Sequence, residues 1–138
     1  MLREVTEIES IGDSCYNLAR TVNRKRTGGN DFTEKQYEHI HQMMQLTENA
    51  LKHMVAIVED DAHVVDVNHS FNIENEMNNY RSQLKNQNIL DVNNKEYDYQ
   101  MGVHYMDLIG ECEKLGDYVV NVVEARTNVK EKKTNENR

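Results

Sequence analysis

The chain has 138 residues, enough for one domain with its own core, and a net charge of −8. Such an acidic surface is a poor match for nucleic acid or anionic lipid and suits cations or basic protein surfaces. Proline is absent, glycine occurs six times, and the longest apolar run is five residues, Met54 to Val58, so long helices are expected and a membrane span of roughly 20 apolar residues is not.

A first helix is predicted from about Met1 to Arg26. Val5, Ile8, Gly12, Cys15, Ala19 and Val22 recur in steps of three and four, the spacing of a buried seam. Arg24, Lys25 and Arg26 suit the negative end of the helix dipole, and Gly28-Gly29 stop the helix. No capping residue precedes the pattern, so the start reads as cut, as in a fragment of a longer protein. Thr33 and Gln36 make a capping box that opens helix 2. Its expected seam is Tyr37, Ile40, Met44, Thr47, Leu51, Met54 and Val58, and its end falls near Asp61 to His63.

Helix 3 spans about Asn68 to Asn88, with Ile73, Met77, Tyr80 and Leu84 as its seam and Glu74, Asn78 and Arg81 beside it. Residues 86–94, rich in Asn and Asp, are expected to form a loop. Asn93 and Glu96 then suggest a capping box for helix 4, whose seam is Met101, Tyr105, Leu108, Cys112, Leu115, Val119 and Val122 and which reaches about Lys130. The fold class predicted is all-α, an antiparallel up-down bundle of four long helices over residues 1–130, with residues 131–138 a charged tail.

"EIESIGDSCYN" (7–17) and "ECEKLGDYVVN" (111–121) share the pattern E-x-E-x-x-G-D-x-x-x-N at an offset of 104 residues, Glu9 to Glu113. Ile11 then matches Leu115, and Leu18 matches Val122. Residues four apart share a helix face, so Glu9, Asp13 and Asn17 form one oxygen-rich stripe, and Glu113, Asp117 and Asn121 another. Carboxylates at that spacing repel unless a cation sits between them, and hard or borderline cations favour such oxygen sites. A solvated charged face is the plainer reading of either stripe alone. The six histidines make no pair at i, i+4 and read as surface or rim residues; the seam methionines read as core. Cys15 and Cys112 lack metal-site spacing and fit a reducing compartment, though the sequence leaves a disulfide between them open. No nucleophile–base pair or phosphate-cradling glycine loop is evident, so an enzyme is not expected.

These two stretches resemble the E-R-I-G-D-x-x-x-N helix of PhoU-like proteins. The resemblance implies an all-helical fold in which a full member has two three-helix repeats, each with the motif on its last helix. Helix 1 would be the last helix of one repeat, and helices 2, 3 and 4 a complete second one. It also implies multinuclear metal binding on acidic motifs, with a further acidic pair on the middle helix where Glu74 and Asn78 stand. The candidate metal ligands are therefore Glu9, Asp13, Glu74, Glu113 and Asp117, for iron, zinc or magnesium. The chain departs from the pattern at Ser10 and Lys114, where the family has arginine, and at Asn78, where it has a carboxylate.

The function implied is that of a cytoplasmic regulatory domain of a sodium-dependent phosphate cotransporter, held at the inner face of the cell membrane by an upstream transporter portion. A free-standing phosphate-signalling adaptor and a purely structural dimerisation module are the alternatives. The incomplete first repeat leaves apolar edges uncovered, so a homodimer is expected. Nucleic acid is not an expected partner.

Overall fold

Helix formation follows from the breaker-poor sequence and from local capping. In the computed structural model, which describes residues 2–27, 31–59 and 67–127, four helices account for nearly all of these residues: α1 (Leu2–Thr27), α2 (Glu34–Glu59), α3 (Val67–Asn93) and α4 (Tyr99–Thr127). The side chains of residues 2–5, 19 and 22–27 lie outside the description, as do the expected Gly28-Gly29 stop, the end of helix 2 at Asp61 to His63 and the tail 131–138. Among the described residues no helix is long and apolar enough to cross a membrane.

The capping box of α2 is as expected. Thr33 N–H donates to Gln36 Oε1 at 3.0 Å, and Gln36 N–H donates to Thr33 Oγ1 at 3.1 Å. Two other boundaries differ from expectation. α3 runs through the Asn/Asp-rich segment to Asn93, because that segment can close in a Schellman turn. Glu96 N–H donates to Asp91 O and Lys95 N–H to Val92 O, with Lys95 at φ 59° in the left-handed region. The cap of α4 is accordingly not Asn93 but Asp98, whose Oδ1 accepts from Met101 N–H at 2.8 Å.

The helices alternate in direction, but they do not close into a ring of four. α2, α3 and α4 pack pairwise on one another, while α1, among the described residues, packs on α4 alone. The result is a three-helix unit with one further helix laid on the outer flank of α4. All seven expected seam residues of α4 are buried, joined by Ile109, Val120 and Val123. On α3, Ile73, Met77 and Leu84 are buried as expected and Tyr80 is half-buried.

The α2 seam is only partly as expected. Ile40 and Thr47 are buried, but Met43, Ala50 and Ile57 fill the alternate positions and Tyr37 and Met44 are exposed. A helix that touches two neighbours buries a stripe wider than a heptad seam, and its centre falls one residue earlier. The α1 seam is on the wrong side. Ile8, Gly12 and Cys15 are exposed, whereas Ile11 and Ser14 are buried and Leu18 half-buried against α4. With one neighbour, α1 buries one narrow face. That face is the one carrying Ile11 and Leu18, the partners of Leu115 and Val122 in the repeat.

Lys95 holds a backbone conformation that costs a side-chain-bearing residue about 1 kcal/mol relative to glycine. Lys95→Gly is expected to raise the unfolding free energy by that amount, read as a higher denaturant midpoint with an unchanged slope. A lower midpoint would show that the Lys95 side chain contributes more than its backbone strain costs.

Candidate functional site

The two copies of the acidic motif meet each other. α1 and α4 run antiparallel, and Asn121 Nδ2 donates to Glu7 Oε2 at 3.2 Å. The first glutamate of one copy therefore binds the last asparagine of the other. The reciprocal pair, Asn17 and Glu111, lines one groove of about 350 Å³ between the helices, with Arg20, Arg81, Asp107 and Lys114 also on its walls. Glu111 Oε2 accepts from Ser14 Oγ at 2.9 Å, and its other oxygen is 3.3 Å from Lys114 Nζ. The repeat thus produces a local twofold-like pairing in which its outer residues join helix to helix.

The inner residues of the two copies have different surroundings. At about 100° per residue, Glu9 and Asp13 fall roughly 200° and 240° around α1 from Glu7, on the face turned away from α4. Both are exposed. Glu113 and Asp117 are partly buried on α4, and Glu113 Oε2 lies 2.7 Å from Arg81 Nε of α3. The contact is charge against charge rather than a linear hydrogen bond. Glu74, Asn78 and Arg81 share one face of α3, and the atoms Glu74 Oε2, Asn78 Oδ1, Arg81 Nε and Glu113 Oε2 are all buried. Burial pushes the Glu113 carboxyl up, Arg81 opposes that, and Asp117 adds to it.

The five expected metal ligands are therefore not brought together. Glu9 and Asp13 stand apart from Glu113 and Asp117, and Glu113 is engaged by a guanidinium. Among the described residues no group of three or more His, Cys, Asp or Glu is arranged to hold a metal ion. Asn78 supplies a neutral amide where the resemblance would place a second carboxylate. This donor set does not fit a multinuclear cluster.

The motif glycines also differ. A Cβ at Gly116 would lie 2.9 Å from Met77 Sδ, whereas a Cβ at Gly12 would meet nothing within 4 Å. Gly116 lets α3 approach α4; Gly12 faces open space.

A second polar group lies at the end of the bundle near the α2 cap. His39 Nδ1 is 2.9 Å from Tyr105 Oη, and Tyr97 Oη donates to Asn88 Oδ1 at 2.6 Å, around a cavity of about 280 Å³. Burial lowers the basicity of His39, helped by Lys35, and burial raises the Tyr105 phenol. Cys15 is exposed and Cys112 buried, both as free thiols, and burial pushes the Cys112 thiol up to about 11. Sequence reasoning placed Arg81 beside the seam without its partner and missed the His39–Tyr105 contact. The i, i+4, i+7 spacing of Glu74, Asn78 and Arg81 was the available signal for the first.

Because its folded-state basicity is depressed, His39 contributes stability that is present above its unfolded value of about 6.5 and is lost as pH falls below it. Thermal midpoints are expected to fall between pH 7 and 5, and His39→Gln to flatten that fall. The two glycines give a paired test by denaturant unfolding. Gly12→Ala should stabilise by about 1 kcal/mol through helix propensity. Gly116→Val should destabilise by about 1–3 kcal/mol through overpacking against Met77. Equal effects would contradict the different surroundings of the two copies.

Comparison with curated proteins and with solved structures gives no match. The family description that matches the sequence, over residues 40–125, is the PhoU domain. The match covers well over half of the chain. It runs from within α2 through α3 to near the end of α4, most of the three-helix unit. On that match, and on the all-helical architecture that accompanies it, the chain belongs to the PhoU domain family.

Proposed function

We propose that this chain is the regulatory PhoU domain of a sodium-dependent phosphate cotransporter, lying on the cytoplasmic side and attached to a membrane-embedded transport portion. Its role is to couple rather than to catalyse, through protein surfaces. The observation that carries this reading is the position of α1, a second motif helix that, among the described residues, packs on α4 alone. A complete three-helix repeat with one additional motif helix suits a domain whose remaining contacts come from another chain or segment.

The outer face of α1 supports an assembly. Ile8 and Tyr16 are 47% and 65% exposed, and Cys15 is exposed beside them. Gly12 has no neighbour to exclude, so a second helix can approach the backbone closely there. In this reading a second copy of the chain covers that face about a twofold axis, giving a homodimer.

Light scattering coupled to size exclusion at micromolar concentration should give twice the chain mass, and Ile8→Glu should return it to the single-chain mass. Cells carrying the full-length gene with Ile8→Glu should lose the adjustment of labelled phosphate uptake to external phosphate while the protein remains folded. A wild-type monomer removes the dimer. Unaltered regulation of uptake, or a native gene with no apolar spans of about 20 residues upstream, removes the cotransporter assignment.

A further inference from the structure

We propose that Arg81 is the resident counter-charge of the α4 acidic motif, so that this domain uses a guanidinium where the resemblance implies a metal cluster. The inference concerns only the α3–α4 face and does not depend on which transporter the domain serves.

Arg81 Nε is 2.7 Å from Glu113 Oε2, so the guanidinium takes up part of the acceptor capacity of that carboxylate and already supplies a positive charge beside it. A guanidinium cannot be deprotonated in a protein, so it does not yield its place by titration. Its fixed positive charge also repels a divalent cation from the neighbouring carboxylates. Three acids, Glu74, Glu113 and Asp117, stand on this face and Asn78 is neutral, so Arg81 offsets one of the three charges, that of Glu113, which it touches. A multinuclear cluster of divalent ions draws on more ligands than three acids supply.

The pair also has a structural consequence. It bridges α3 and α4 one turn away from the place where Met77 packs on Gly116. Both contacts fix the register of the same two helices, so the acidic motif acts here as part of the helix–helix lock. The pair is partly exposed, with 39% of the Arg81 side chain and 23% of the Glu113 side chain accessible. Solvent therefore screens it, and its main effect is to avoid leaving Glu113 partly buried without a cation.

The test uses the chain purified without chelators. Its metal content should be well below one ion per chain. Its thermal midpoint should be the same with EDTA and with added Zn²⁺, Fe²⁺ or Mg²⁺. Arg81→Met should lower the midpoint, and Arg81→Lys, which keeps the charge without the planar fork, should fall between the two. A stoichiometric metal in the wild type, or a midpoint that drops on chelation, overturns the proposal. So does an Arg81→Met midpoint equal to that of the wild type. Should Arg81→Met fail to fold, the wild-type metal measurements and Arg81→Lys still decide it.

Discussion

Everything in this fold leans on α4, the helix that packs against each of the other three. Met101, Tyr105, Leu108, Ile109, Cys112, Leu115, Val119, Val120, Val122 and Val123 are buried along it. That sequence of apolar residues is too broad for a single seam, and it fits a helix with neighbours on most sides. Burial of these side chains is the main favourable term holding the domain together. The acids and the amide of the α4 motif are then left to the parts of its surface that border α1 and α3. Glu111, Glu113 and Asn121 all find their partners there, on α1 or on α3.

That confinement explains why the acidic motif is structural at its edges. Glu7 meets Asn121 across the α1–α4 contact because two copies of one pattern, run antiparallel, bring the beginning of each to the end of the other. A helix pair built this way needs an acid and an amide at fixed spacing. A metal site needs converging carboxylates from several helices, which the first copy lacks because Glu9 and Asp13 point away from α4.

The parts of the fold legible in the sequence are those set locally or by a fully surrounded helix. Thr33 and Gln36 specify the start of α2 by bonds three residues apart, and the α4 seam was read without error because almost any apolar position on that helix is buried. The α1 seam was misread because periodicity gives two equally regular stripes, Ile8–Gly12–Cys15 and Ile11–Ser14–Leu18. The number of neighbours, which the sequence does not state, decides between them. The repeat itself held the answer, since Ile11 and Leu18 align with the buried Leu115 and Val122. The end of α3 was missed for a different reason. Asn and Asp favour turns, yet a Schellman closure at Lys95 lets them continue the helix at the cost of one strained residue.

The candidate site was legible as residue types but not as an arrangement. Glu74, Asn78 and Arg81 could be placed on one face of α3 from their spacing, and Glu113 and Asp117 on one face of α4. Which charge on one helix meets which on the other depends on the stagger of α3 against α4. Met77 against Gly116 sets that stagger. The glycine of the motif therefore matters to the electrostatics as much as the acids do. At Gly116 the close approach brings the Arg81 guanidinium within reach of Glu113, whereas Gly12, at the same place in the motif, has open space in front of it. The same eleven-residue pattern thus leads to a glutamate paired with a guanidinium in one copy and to exposed acids in the other. The difference arises from the helix opposite and not from the motif.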